Sequence, residues 1–348
     1  MKKLLKALLI PLLVVVMAAG VLVGFLTGAE YKPAAVETLA LRGEGAGALD
    51  GSGLNILSWN IGYAGLGAAS DFFMDGGKSA RAADRAAVDR YLGNIADTVK
   101  NGGYDLVMLQ EVDVDSSRTY GVDESASLMR RTGVHALNYS CPFVPVPFPP
   151  MGKVNSGLMT TTDYEIREAE RIALPCPFSW PMSTVNLKRC LLVSRLPVAG
   201  GDRELVLVNL HLEAYDDGEG KLAQTRALME FLQEEYEKGN YVVAGGDFNQ
   251  AFPGSLEAFP MVDPAYWTPG VLEEASLPEG FSFVCDLTTP SCRLLNQPYD
   301  PSDTAHTQVY LIDGFLVSPN VTVREVETLD LGFADSDHNP VRIRVSLD

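Results

Sequence analysis

Basic side chains are scarce in this chain. It carries 27 lysines and arginines against 45 aspartates and glutamates, with four histidines, for a formal net charge of −18. A polyanion is held largely by lysine and arginine on its phosphates, so this balance argues against a nucleic-acid partner, a local basic cleft excepted. The plainer use of such an acidic surface is solubility. Low-complexity tracts and internal repeats are also missing, which suits one large globular domain, or at most two, and argues against a doubled one. The five cysteines (Cys141, Cys176, Cys190, Cys285 and Cys292) show no spacing with histidine that resembles a zinc site. The stretch "DGGKS" around Lys78 is not a phosphate-binding loop, because Phe72 stands where its first glycine is needed.

What is present begins at the N-terminus. "MKKLLKALLIPLLVVVMAAGVLVGFLTGAE" sets Lys2, Lys3 and Lys6 ahead of an uncharged run from Ala7 to Ala29. That run is long enough to span a bilayer and longer than the core of most signal peptides. The lysines should remain in the cytoplasm, which places the chain after Glu30 outside it. The expectation is a single-pass anchor in the cell membrane. The small residues of "TGA" before Glu30 keep a cleaved signal, and so a secreted domain, as the competing reading. No cysteine follows the run, which argues against a lipoprotein anchor. Without residues 1–29, which hold three lysines and no acid, the remainder is more acidic still.

Residues 30–53 are rich in Gly and Ala and read as a flexible linker, leaving 54–348 as one large domain. Export permits disulfides, with one thiol at least left over. Cys285–Cys292 is the easiest pair, Cys141 and Cys176 are another, and Cys190 in "KRCLLVSR" reads as a buried strand residue. Helical periodicity runs from Ser79 to Lys100, closed by Gly102–Gly103, and again from about Lys221 to Lys238. β-Branched and apolar runs such as "LNILSWN", "YDLVMLQEVD", "ELVLVNLHL", "YVVAGGDFNQ", "QVYLIDGFLVS" and "VRIRVSL" predict strands. Strands outnumber helices, so a mixed α/β domain with more than one sheet fits better than a simple parallel sheet.

The strand ends carry the chemistry. They supply Asn60, Glu111, Asn209, His211, Asp247, Asn249, Asp313, Asp337 and His338. One acid after a strand is ordinarily a turn former or cap, and one histidine a structural residue. Repetition at strand after strand changes that, because ligands in α/β sheets collect where strands end. Carboxylates with an amide offer hard oxygen donors suited to Mg²⁺ or Mn²⁺. A histidine beside an acid can move a proton or sit charged against phosphate. Together they form a set for phosphoester hydrolysis.

The ordered set "SWN … LQEVD … NSGL … VNLHL … GGDFN … IDGF … SDHNP", from Leu54 to Asp348, resembles the endonuclease/exonuclease/phosphatase superfamily. The resemblance implies a four-layer α/β/β/α sandwich with the site at one edge of two packed sheets. It implies Glu111 as principal metal ligand, supported by Asn60, with Asp337 near the metal. Asp247 would orient or deprotonate water or bind a second ion, and Asn249 would hold a phosphate oxygen. His338 would act at the scissile phosphate with Asp313 fixing its tautomer. His211 matches the second histidine of the deoxyribonuclease and sphingomyelinase branches, where apurinic endonucleases carry a tyrosine. One or two Mg²⁺ or Mn²⁺ ions would serve as cofactor.

Further substrate-side candidates are Asn209, Asn155 in "NSGL", and Arg118 and Tyr120 in "VDVDSSRTY". His135 and His306 read as structural. "NYS" at Asn138 and "NVT" at Asn320 are glycosylation sequons only in a eukaryotic source. The proline-rich "CPFVPVPFPPMG" at residues 141–152 predicts a rigid loop, either packed on the surface or forming a wall for a lipid or membrane face. The expected protein is a monomeric, membrane-anchored, metal-dependent phosphoesterase acting on a lipid or small-molecule ester. An exported nuclease is the alternative, and a non-catalytic binding module on the same fold is the third reading.

Overall fold

The strongest apolar runs become the central strands of two sheets in a computed structural model that describes residues 2–216 and 218–348, with side chains from Leu9 onward. One seven-stranded sheet runs Val36–Thr38, Glu168–Ala173, Cys190–Pro197, Glu204–His211, Tyr241–Asp247, Asp313–Val317, Ser282–Val284. The other runs Val321–Thr328, Val341–Leu347, Leu54–Asn60, Leu106–Asp113, Gly152–Thr162, Thr132–Val144, Arg42–Gly43. Both are mixed: Tyr241–Asp247 lies parallel to Glu204–His211 and antiparallel to Asp313–Val317.

Because side chains alternate along a strand, each sheet has two faces to cover. Between the sheets, Ile56, Met108 and Leu158 meet Leu192, Leu207 and Val243. The outer face carrying Leu57, Trp59 and Leu109 packs on Val88, Leu92 and Ile95 of the helix Arg85–Asn101. The opposite outer face, with Val206, Val208 and Val242, packs on Leu228 and Leu232 of the helix Glu219–Glu237. The result is the expected α/β/β/α stack.

Four local expectations change. The first helix starts at Arg85 rather than Ser79, because the Asp84 carboxylate accepts from the Ala87 N–H at 2.7 Å and caps it. Residues 30–53 are not a free linker. Val36–Thr38 pairs with Glu170–Ile172, and Arg42–Gly43 pairs with Thr132–Gly133, so both segments cover open sheet edges. The proline-rich segment is strand as far as Val144, with Cys141 opposite Val154 and Val144 opposite Gly152. Pro142 is accommodated at a register shift, where no ladder donor is required. All five cysteines are free thiols. Cys292 packs beside Tyr310 and Ile312, while Cys285 packs with the cluster under the Glu219–Glu237 helix. Cys190 is the buried strand residue its neighbours suggest.

The N-terminal helix covers Lys2–Gly28, and its Leu9–Gly28 portion is long and apolar enough to cross a membrane. Residues 9–21 are exposed. Its last turns dock on the domain: Leu22 and Leu26 pack with Cys141, Val144, Met151 and Val154. Trp180 Nε1 donates to Thr27 Oγ1 at 3.0 Å, and Lys188 Nζ to Glu30 at 2.9 Å.

Candidate active site

Strand register assembles the centre. Asp247 is directly opposite His211 on the parallel side and Asp313 on the antiparallel side. The two preceding glycines are sterically required. A Cβ on Gly245 would stand 2.5 Å from the Phe315 ring, and one on Gly246, at φ +149°, would stand 1.9 Å from the Leu210 carbonyl oxygen. In the facing sheet, Asn60 ends its strand opposite Gln110, and Glu111 follows at φ +55° where the register shifts. That bulge re-aims the Glu111 side chain into the cleft. The loop carrying Asp337 and His338 is pinned by the Trp59 indole donating to the His338 carbonyl (2.8 Å) and Ser336 Oγ donating to the Asn60 carbonyl (2.8 Å).

The side chains converge closely. His338 Nδ1 donates to Asp313 Oδ2 at 2.8 Å, and its Nε2 lies 3.7 Å from Asp247 Oδ2. His211 Nε2 lies 3.4 Å from the same Asp247 oxygen. Asn60 Nδ2 donates to Asp247 Oδ2 at 3.0 Å and to Glu111 Oε1 at 3.3 Å. Its Oδ1 accepts from the Gly62 N–H at 3.0 Å, so the amide presents mainly donors to the acids. Asn249 gives its backbone N–H to Asp247 Oδ1 and one Nδ2 hydrogen to the Leu212 carbonyl, each at 2.8 Å.

Burial sets the protonation pattern. Desolvation, with Asp313 alongside, pushes the Asp247 carboxyl up to about 7 against the pull of His338. Desolvation likewise raises Asp337 to about 6, with His338 lowering it and Glu111 raising it. For His338 burial opposes a charge, but Asp313, Cys292 and Asp247 outweigh it and lift the imidazole well above its ordinary value. Burial, reinforced by Arg189 and His338, holds His211 well below it, so that ring is neutral. Buried carboxylates that resist ionisation next to each other are what a divalent cation relieves. Asp313 Oδ1 and His211 Nδ1 have no hydrogen-bond partner among the described residues. Asp247, Asp313 and His338 also lie close enough together to hold an ion. His338 and Asp313 bond each other at 2.8 Å, and Asn60 Nδ2 links Asp247 to Glu111.

Three expected substrate-side residues lie elsewhere. Asn209 is buried between the sheets, donating to the Leu109 and Met159 carbonyls and accepting from Gln110, because its side chain alternates inward rather than toward the strand end. Asn155 accepts from Ser140 Oγ along its own sheet. Tyr120 gives its hydroxyl to the Ala82 and Ala83 carbonyls. Arg118 does line the cleft, but Asp113 holds its guanidinium through two bonds of 2.9 and 2.8 Å, and it stacks 3.7 Å over the Tyr63 ring. His135 is half-buried, with its Nε2 3.1 Å from the Val112 carbonyl, and His306 is exposed beside Asp303. Sequence reasoning misses Tyr63, Arg189 and Arg293, all buried in the cleft wall. Arg189 faces Glu213 at 3.4 Å, a pairing no local spacing announces.

Glu111, His211, Asp247, Asn249, Asp337 and His338 line a cavity of about 450 Å³. The sequence profile of the endonuclease/exonuclease/phosphatase family matches residues 57–338. The chain belongs to this family. Its members are generally hydrolases of phosphoester bonds and usually use divalent metals. Solved structures share the fold. An endonuclease/exonuclease/phosphatase from Beutenbergia cavernae is 17% identical, with a TM-score of 0.55 over 85% of this chain and 72% of its own. A family protein from Leptotrichia buccalis is 14% identical, with a TM-score of 0.53 over 84% and 100%. The catalytic domain of human Nocturnin, with bound sulfate, is 17% identical, with a TM-score of 0.51 over 89% and 97%. Among curated proteins none matches the chain significantly.

Proposed function

We propose that this protein is a Mg²⁺-dependent phosphoesterase, anchored by its N-terminal helix with the catalytic domain outside the cytoplasm, acting on a lipid or small-molecule ester. The observation that carries this reading is the buried Asp313–His338–Asp247 array, with Asn60 and Glu111 beside it, at the wall of a largely apolar cavity. Glu111, Asp337 and Asp247 would hold the metal, which when bound neutralises charge on the phosphate and lowers the pKa of water. Asp313 accepts from His338 Nδ1 and favours the imidazolium, so that its Nε2–H points toward the cleft. His338 then stabilises charge building on a phosphate oxygen. Asp247, facing both His211 and His338, is placed to orient the attacking water or to take its proton. Asn249 orients a second phosphate oxygen.

Retention of the helix is supported by its contacts. Leu26 is 4% exposed, and Thr27 and Glu30 are bonded to Trp180 and Lys188. Cleavage after "TGA" would strip Leu26 and Thr27 from the domain. The lysines before the span favour a cytoplasmic N-terminus. In this reading the protein works as a monomer whose partners are its substrate and the bilayer.

Full-length protein in phosphatidylcholine nanodiscs should hydrolyse bis-p-nitrophenyl phosphate with Mg²⁺ or Mn²⁺. Activity should vanish with chelator and fall at least a hundredfold in His338→Ala and Glu111→Ala. A panel of plasmid DNA, RNA and sphingomyelin on the same sample addresses substrate. Rapid plasmid nicking without turnover of lipid or small esters would instead make it an exported nuclease. No metal-dependent turnover of any phosphoester would leave a binding module.

A further inference from the structure

The cavity that Asp247 and His338 line is largely apolar. Part of its wall is built by Phe72, Phe73, Tyr139, Val144, Met151 and Val185. These same six side chains belong to the apolar cluster that receives Leu22 and Leu26 of the N-terminal helix. One hydrophobic body therefore separates the catalytic carboxylates from the emerging membrane span. At the rim, Val146 (55% exposed) and Met182 (56%) line the cavity and also face solvent. Beside them Phe148 is 95% exposed and Trp180 62% exposed, and Trp180 is bonded to Thr27 at the end of the span. Apolar side chains this exposed, gathered around one opening, mark an interaction surface.

The helix supplies the partner. Its apolar portion Leu9–Gly28 is about 30 Å long, which is the thickness of a bilayer's hydrocarbon core. Seating that length in the bilayer brings Thr27, Trp180 and the rim around Phe148 to the lipid–water interface, where Trp is favoured. The net charge of −18 leaves apolar insertion, rather than attraction to anionic headgroups, as the docking force.

We propose that the substrate is a lipid phosphoester taken from the membrane that holds the N-terminal helix. Its hydrocarbon tail lies in the trough behind Val146 and Met182, and its phosphate lies at Asp247 and His338. This deepens the phosphoesterase reading and rests on it for the position of the phosphate. The rim loops 145–150 and 178–183 form the entrance, with Phe148 and Trp180 set into the outer lipid layer. The tail is bound by burial alone, so tail length rather than headgroup should govern affinity for alkyl phosphates.

The test uses full-length protein in phosphatidylcholine nanodiscs, with ethyl, butyl, hexyl and octyl phosphate as competitive inhibitors of bis-p-nitrophenyl phosphate hydrolysis. Each added CH₂ should lower the inhibition constant about three- to fourfold until the trough is filled. Val146→Asp and Met182→Asp place a charge at half-exposed positions that folding tolerates, and should flatten this dependence. Independently, brominated phosphatidylcholine in the nanodisc should quench tryptophan fluorescence, and Trp180→Phe should remove most of the quenching. Equal inhibition by all four alkyl phosphates would overturn the proposal, as would quenching unaffected by Trp180→Phe. If the ester is not hydrolysed, calorimetric binding of the same series still reads the chain-length dependence. A steep slope without turnover then sinks the enzymatic reading alone, and a flat slope with turnover sinks the lipid reading alone.

Discussion

Replacing Asp313 by Asn changes one atom in the pair that aims His338. Asp313 Oδ2 accepts from His338 Nδ1 at 2.8 Å and from Ser291 Oγ at 2.7 Å, while Oδ1 has no partner among the described residues. An asparagine that keeps its oxygen toward both donors must leave its NH₂ in the orphan position. One buried unpaired donor costs about 1–3 kcal/mol, or a fall in Tm of roughly 2–5 °C for a chain of this size. The larger effect is on turnover. A charge-assisted bond becomes a neutral one about half as strong, and the imidazolium loses its nearest counter-charge. Exchanging a carboxylate for an amide beneath a working imidazole lowers kcat by about 10²–10⁴-fold. Bis-p-nitrophenyl phosphate kinetics at saturating Mg²⁺ should show that loss with KM changed less than about threefold, since the mutated group does not touch substrate. Scanning fluorimetry on the same sample separates it from unfolding. A folded Asp313→Asn variant with kcat within about threefold of the parent would refute the assignment of His338 and Asp313 as one unit.

Glu111→Gln should weaken Mn²⁺ binding, read by electron paramagnetic resonance, by at least about tenfold, while a Tyr120→Phe control should leave it unchanged. Asn209→Ala removes three buried hydrogen bonds between the sheets and should cost about 2–4 kcal/mol in urea unfolding. Burial pushes Glu235 upward, but hydrogen bonds from Arg195 and Lys238 outweigh it and hold the carboxyl at about 2, below its ordinary 4.5. Its folded pKa being depressed, it stabilises the fold above pH 4.5 and that contribution is lost as pH falls toward 2. The limit is about 3 kcal/mol, reduced by solvent screening. Arg195→Met should therefore flatten the fall in urea midpoint between pH 4.5 and 2, and an unchanged acid limb would disprove the linkage.

The family motifs are local, and so were legible: "GGDFN" and "LQEVD" set polar residues at a strand end, and "SDHNP" sets Asp337 and His338 in the loop before the last strand. The strand runs and both outer helices follow from apolar period alone, which needs no knowledge of partners. Register is different. That Asp247 stands opposite both His211 and Asp313 depends on pairing between strands far apart in the chain, and a one-residue slip would turn Asp247 to the other face. The same limit explains Asn209, whose strand end looks like its neighbours' but whose side chain turns inward to Gln110. It also explains the cysteines, because the short spacing of Cys285 and Cys292 says nothing about the separate clusters that bury them.

Sequence by itself carried the strand and helix runs, the membrane-length apolar run and the motifs whose family resemblance implied the layer order and the candidate site residues, since these rest on short-range periodicity or residue chemistry. Only the tertiary structure decided that residues 36–43 close the sheet edges, that Leu22 and Leu26 dock on the catalytic domain, and that an apolar trough joins that docking site to Asp247. Those features are contacts between segments far apart in sequence. Their free energy comes from area buried between surfaces that no local pattern brings together.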